Sequence, residues 1–138
     1  MTLTADSVRD FVRSNHRGVL ATLRRDGAPQ MSPVLIGVDD DGSLVISTRE
    51  TAMKTANVRR QPQAWVCVFP NEFFGQWVQA EGSAIVESLP AAMDGLVRYY
   101  RLVAGEHPDW DEYRAAMVRE RRVILRMRIT RAGPDLFG

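Results

Sequence analysis

Gly18-Val-Leu-Ala-Thr-Leu-Arg-Arg-Asp-Gly-Ala-Pro-Gln-Met-Ser-Pro-Val-Leu-Ile-Gly-Val38 is where the architecture of this chain becomes legible. Gly18 to Arg24 has the apolar and β-branched character of a strand, Asp26-Gly27 is a tight turn, and Pro29 to Val38 is the strand that returns. Asp40-Asp41-Gly42 makes a second hairpin turn into Ser43 to Thr48. Turns this short leave no room for a crossover, so the three strands form an antiparallel meander.

Upstream, Thr4 is placed to cap a helix in which Val8, Phe11 and Val12 share one face, ended by Asn15 and Gly18. Downstream, Thr51 to Arg60 suits a short helix stopped by Gln61-Pro62. Ala64 to Phe69 is an unbroken apolar run, expected to be a strand buried on both faces. Gln76 to Glu87 alternates as a long strand, with Val78, Ala80, Gly82, Ala84 and Val86 on one face and Trp77, Gln79, Glu81 and Ser83 on the other. Ser88 and Pro90 open a helix carrying Met93, Leu96, Val97 and Tyr100, and Asp109 with Glu112 resembles a capping box for a helix with Tyr113 and Met117. Arg121 to Arg131 closes the pattern as a strand with Val123, Leu125, Met127 and Ile129 facing a core. The sum is a mainly β protein: six short antiparallel strands in a closed or split barrel with helical covers, in a single domain over residues 1–138.

Bulk properties exclude several classes of function. With 138 residues, 45% hydrophobic and 25% charged, the chain suits one ordinary core. A net charge of +1 exerts no global pull on nucleic acid or an anionic membrane, and neither is expected as a partner. No apolar run approaches the roughly 18 residues of a membrane span, and no basic region followed by an apolar run marks a leader. One cysteine, Cys67, suits a reducing compartment, so a cytoplasmic location is expected. Dinucleotide, phosphate-loop, serine-hydrolase and zinc-protease motifs are all missing. His16 and His107 have no neighbours that make a metal pair, and Cys67, inside Trp65-Val-Cys-Val-Phe69, reads as a buried, inert thiol. No catalytic side chain is indicated. A redox enzyme needs few, because its cofactor carries the chemistry.

Three stretches could hold a ligand. In Ser47-Thr-Arg-Glu-Thr-Ala-Met-Lys54, a strand ends in two hydroxyl residues and runs into a helix start bearing Lys54, with Asn57, Arg59 and Arg60 after it. Hydroxyls, open backbone N–H groups and an ammonium suit a phosphate, and a solvated surface helix is the other reading. Trp77, Gln79 and Glu81 on one strand face suit either a heterocycle or a packing or dimer contact. Arg122, Arg126 and Arg128, on one face of the last strand, suit a solvated surface rather than a polyanion groove.

The same segments, in this order, resemble the pyridoxamine 5′-phosphate oxidase-like superfamily, and within it the actinobacterial branch of reductases that use coenzyme F420. The resemblance rests on Gly18 to Gln30, on Lys54-Thr-Ala-Asn-Val-Arg-Arg-Gln-Pro62, on Gln79-Ala-Glu-Gly82, and above all on Tyr100-Arg-Leu-Val-Ala-Gly-Glu-His-Pro-Asp-Trp-Asp-Glu-Tyr-Arg114 with Met117 to Leu125. It implies a homodimer of split barrels with the cofactor at the subunit interface and a small organic molecule as substrate. It also implies that Lys54 reaches the cofactor phosphate and that Ser47 and Thr48 contact it. Gln30, Ser32, Pro33 and Val34 would line the ring system, with Trp77 and Gln79 nearby, across the dimer. Asn57 and Arg60 belong to the implied cofactor helix. FMN-using members show Ser-Arg-Lys where this chain has Ala52-Met53-Lys54, and one arginine fewer fits the singly charged phosphodiester of F420 better than the phosphomonoester of FMN. The expected activity is hydride transfer from reduced F420 to a conjugated substrate. An FMN-dependent oxidase or flavin reductase, and a cofactor or tetrapyrrole carrier without turnover, are the alternatives. The ending, Arg131 to Gly138, departs from the usual family ending.

Overall fold

The computed structural model of the chain describes residues 3–134; the last part of the divergent ending lies outside them. Helix α1 (Ala5–Ser14) leads into β1 (Arg17–Leu23), β2 (Pro29–Leu35), β3 (Gly37–Val38) and β4 (Leu44–Arg49). Helix α2 (Met53–Arg60), β5 (Gln63–Phe69), β6 (Val78–Glu87), α3 (Met93–Ala104), α4 (Trp110–Arg119) and β7 (Arg122–Ala132) follow. The strands make one antiparallel sheet in the order β2-β1-β5-β6-β7-β4-β3, the curled sheet of a split barrel with helical covers.

There are seven strands rather than six, because Pro29 to Val38 breaks at Ile36. The Ile36 N–H donates to the His16 carbonyl at 2.7 Å, and His16 Nδ1 donates to the Ile36 carbonyl at 2.9 Å. These two bonds pull one residue out of line. β2 then pairs with β1, and β3 pairs with β4, at opposite ends of the sheet. One continuous segment therefore supplies both edges and draws the sheet into a barrel.

Alternation decides what the barrel contains. Leu20, Ala64, Val66, Val68, Val78, Ala80, Leu44, Ile46, Leu125 and Met127 point inward, with Val8 and Val12 of α1 among them. Thr4 caps α1 as expected, with Ser7 completing the reciprocal bond. Gly82 sits at a bulge where β6 crosses β7; a Cβ there would come within 2.0 Å of the Arg128 carbonyl, so only glycine fits.

A second apolar layer lies outside the barrel. α3 and α4 pack Leu96, Val97, Tyr99, Tyr113 and Met117 onto Val45 and Ile124, so β7 is buried on both faces. Asp109 caps α4 by accepting from the Glu112 N–H, but its own N–H goes to His107 Nδ1, so the box is not reciprocal. β5 departs from expectation. Ala64, Val66 and Val68 are buried, but Trp65, Cys67 and Phe69 are only half-buried, because no helix among the described residues covers that side. β6 begins at Val78, so Trp77 precedes the strand rather than lying on its face.

Candidate functional site

Helix α2 is tied down on both sides of the barrel's end. Thr55 donates its hydroxyl to the Arg49 carbonyl at 2.6 Å, and Asn57 Nδ2 donates to Thr22 Oγ1 at 3.1 Å. Arg60 reaches the Leu23 carbonyl at 2.7 Å and Asn57 Oδ1 at 2.8 Å. Asn57 and Arg60 thus have their partners within the fold and act on the site by fixing the helix. Arg59 is likewise held by Glu50 and Ser88.

The start of α2 differs from that of α1 or α4. Ala52 offers no side-chain cap and the first turn carries no acid, so backbone N–H groups there are open. Lys54 stands in that turn, half-buried. Burial lowers its pKa, and the nearby Arg122 guanidinium lowers it further; no carboxylate offsets either effect among the described residues. Such a cation is poised for an anion.

Ser47 and Thr48 are neighbours in β4 and therefore point to opposite faces. Thr48 faces the barrel interior opposite Val123, and Ser47 faces outward toward Arg122 and the tyrosines of α3. Arg49 and Arg122 are cross-strand partners that share Glu120, at 3.8 and 2.8 Å. In the sequence Arg122 is only one of three arginines on a strand face. Its place beside Lys54 depends on β4–β7 pairing, which no local pattern reports. Arg126 is neither solvated nor free for a polyanion: it pairs with Asp39, Asp41 and Glu87.

On β2, Gln30 lies opposite Thr22 and Ser32 opposite Leu20, so both side chains share the inward face with them. Gln30 Oε1 and Ser32 Oγ are the two buried side-chain polar atoms left without a hydrogen-bond partner among the described residues. Such atoms are costly unless something bonds them. Val34 is half-buried on the same face, and Pro33 is exposed on the other. Asn57 to Thr22 to Gln30 is a continuous path from α2 to this strand. Asn57 and Gln30 thus meet at Thr22, Lys54 lies one turn before Asn57 on α2, Thr48 faces the interior from β4, and Ser47 lies outside. Gln79 and Trp77 are elsewhere in the chain: Gln79 lines a separate cleft of about 360 Å³ with Glu81 and Arg131.

No group of three or more His, Cys, Asp or Glu residues suits a metal among the described residues, and no helix there is long and apolar enough to cross a membrane.

The family model described as pyridoxamine 5′-phosphate oxidase matches residues 4–133. Among solved structures, a conserved hypothetical protein from Mycobacterium tuberculosis is similar at 24% identity over 96% of this chain and 84% of that one, with a TM-score of 0.77. An F420 reductase is similar at 19% identity over 91% and 94% of the two chains, TM-score 0.71. A heme binding protein from Mycobacterium smegmatis is similar at 19% identity over 96% of this chain and 54% of that one, TM-score 0.69. At these identities the solved structures report a shared fold. The family match spans nearly the whole chain, and on that ground the protein belongs to the pyridoxamine 5′-phosphate oxidase family.

Proposed function

We propose that this chain is a homodimeric oxidoreductase that binds a flavin-type cofactor, F420 in preference to FMN, and reduces a conjugated small organic molecule. The observation that carries this reading is that two unpartnered buried acceptors on β2, Gln30 Oε1 and Ser32 Oγ, are linked through Thr22 and Asn57 to a helix whose uncapped start bears an unpaired cation. A ring edge bearing N–H groups satisfies the acceptors, and a phosphate satisfies Lys54 and the open N–H groups.

The charge balance favours the phosphodiester. Arg49 and Arg122 share Glu120, Arg59 is held by Glu50, and Met53 is 60% exposed at the place of the family's arginine. With a neutral Met53 in place of that arginine, the helix start carries one cation fewer, which suits a singly charged phosphodiester better than a doubly charged monoester. The FMN reading is supported by Arg122, whose guanidinium would add charge if Glu120 released it. When bound, the reduced deazaflavin supplies hydride from its ring carbon. The chain's own residues bind the phosphate at Lys54, orient the ring along Gln30 to Val34, and keep water from its inner side.

The dimer is supported by the uncovered face of β2, β1 and β5, where Met31 is 64% exposed and Phe74, in the loop after β5, is 84% exposed. A second copy on this face would also bring the Trp77 and Gln79 edge of one chain toward the ring site of the other.

Parallel fluorescence titrations with F420 and FMN test the proposal. Low-micromolar F420 binding, with FMN weaker by about tenfold or more, is expected from the charge match. The reverse order moves the chain to the FMN-dependent side, and binding of haemin alone to the carrier class. Lys54→Ala should weaken F420 binding by about tenfold or more, in keeping with roughly 1.5–3 kcal/mol for a charge-assisted hydrogen bond. Unchanged affinity would remove Lys54 from the site.

A further inference from the structure

Of the 18 lysine and arginine residues in the chain, Lys54 is the only lysine. Guanidinium groups keep their protons at every ordinary pH, so Lys54 carries the only side-chain amine that can act as a nucleophile.

The turn that enters α2 fixes where this amine stands. The Arg49 carbonyl accepts from the Ala52 N–H at 3.1 Å and from the Thr55 hydroxyl at 2.6 Å, and the Glu50 N–H donates to the Arg121 carbonyl at 2.8 Å. These bonds stitch α2 to the end of β4 and the start of β7, where Arg49 faces Arg122 across the strands. Arg49, Lys54, Arg121 and Arg122 therefore belong to one junction. Its two carboxylates are already engaged: Glu120 holds Arg122 at 2.8 Å and Arg49 at 3.8 Å, and Glu50 is held by Arg59 and the Ser88 hydroxyl. Counted with Arg59, five cations stand against two carboxylates, a surplus of positive charge.

Two consequences meet at Lys54. Burial and the Arg122 guanidinium both lower its pKa, so a larger share of the amine is unprotonated near neutral pH, the state that attacks a carbonyl carbon. The surplus charge also draws small anions to the junction. An electrophile that carries its own anion is both gathered and attacked there, whereas an uncharged one is only attacked.

We infer that Lys54 is a modification site, an amine acylated by small acyl phosphates, and that its acylation closes the anion site of α2. Lys54 Nζ attacks the acyl carbon, forming the C–N bond, and the bond from that carbon to the phosphate oxygen breaks. Inorganic phosphate leaves with the bonding pair, and the surplus proton of the amine passes to water. The product amide is neutral, so the helix start loses its one ammonium. The closing of the site rests on the cofactor reading above; the acyl transfer does not.

The test uses the full chain without cofactor and follows Lys54 and the α-amino group together by mass spectrometry of proteolytic peptides. An ordinary α-amino group, with a pKa of about 7.7–8.0, reacts ahead of an ordinary lysine at about 10.4, because more of it is unprotonated. With acetyl phosphate, Lys54 should nevertheless acetylate at least about threefold faster than the α-amine, since attraction of the anionic donor adds to the lowered pKa. With p-nitrophenyl acetate, an uncharged donor, the α-amine should lead. Inorganic phosphate should slow the acetyl phosphate reaction at Lys54 by about threefold or more and leave that at the α-amine unchanged. Arg122→Gln, which removes the neighbouring cation, should cut the Lys54 rate to about a third or less. Should that variant not fold, phosphate competition on the unaltered chain decides. Protein acetylated at Lys54 should bind F420 at least about tenfold more weakly than untreated protein, the loss expected of a removed charge-assisted bond.

An α-amine that leads with acetyl phosphate, the same Lys54 preference with both donors, or no slowing by phosphate would each overturn the inference. F420 binding that survives acetylation would overturn the closing of the site. Selective acetylation of Lys54 in a protein that takes neither F420 nor FMN would sink the proposed function and leave the acyl-acceptor amine standing. F420 binding with an inert Lys54 would do the reverse.

Discussion

The outer surface of the barrel has two halves built from the same sheet and treated in opposite ways. Over β4 and β7, α3 and α4 bury Val45 and Ile124 under Leu96, Tyr99, Tyr113 and Met117. Over β2, β1 and β5, no helix of the described chain covers Met31, Leu35, Trp65, Cys67 and Phe69, and only Phe73 of the following loop packs on Phe69. Both halves are apolar, so strand alternation alone does not distinguish them. What differs is that the described chain supplies a helical cover for one and none for the other. The covered half holds Asp39, Arg98 and Arg126 in a closed network, whereas the two unpartnered acceptors of β2 face the barrel interior behind the uncovered half.

If that division holds, Leu96→Ala should cost the most: about 3 kcal/mol in urea unfolding, because a fully buried side chain leaves a cavity between helix and sheet. A loss under about 1 kcal/mol would mean that α3 is a loose flap rather than a structural layer.

Next comes acid. The Asp39 side chain is 4% exposed, with Arg98 at 3.0 Å and Arg126 at 2.9 Å. Burial pushes its carboxyl up, but Arg98, the Asp40 N–H and Arg126 outweigh that and hold it at about 2, below the ordinary 3.8. A depressed carboxyl contributes stability above its unfolded value and loses it as pH falls. The covered half should therefore lose about 2 kcal/mol between pH 4 and pH 2, and Asp39→Asn should flatten that part of the pH–stability curve. An unchanged curve would place the acid sensitivity elsewhere.

On the uncovered half, Met31→Glu with Phe74→Ser should change the unfolding free energy of the monomer by no more than about 0.5 kcal/mol. The same pair should shift sedimentation from dimer to monomer. Loss of stability without a change in sedimentation would contradict the division.

The smallest effect is at Cys67. Burial raises its thiol pKa, so alkylation by iodoacetamide near pH 7 should be slow and should accelerate as pH rises beyond 9. Monomerising the protein with the preceding pair should quicken it by about twofold to threefold, since only steric cover is lost. Equal rates would indicate that no partner sits over β5.

Local chemistry determined a good deal. Asp26-Gly27 and Asp40-Asp41-Gly42 can only be hairpin turns, Thr4 can only begin a helix where it stands, and the period of two in β6 and β7 named the inward residues, because turn geometry, capping and pleat depend on near neighbours. Lys54 at a helix start was legible for the same reason. The break at Ile36 was not, since it depends on bonds to His16, nor was the half-covered state of β5, since an apolar run looks the same whether its cover is internal or supplied by a partner. Placement of Arg122 beside Lys54, withdrawal of Arg126 into an acid cluster, separation of Gln79 from Lys54, and convergence of Tyr99, Tyr100, His107 and Tyr113 on one cleft were decided by strand order and register. Those are properties of segments that meet only when the sheet closes, and no local pattern carries them.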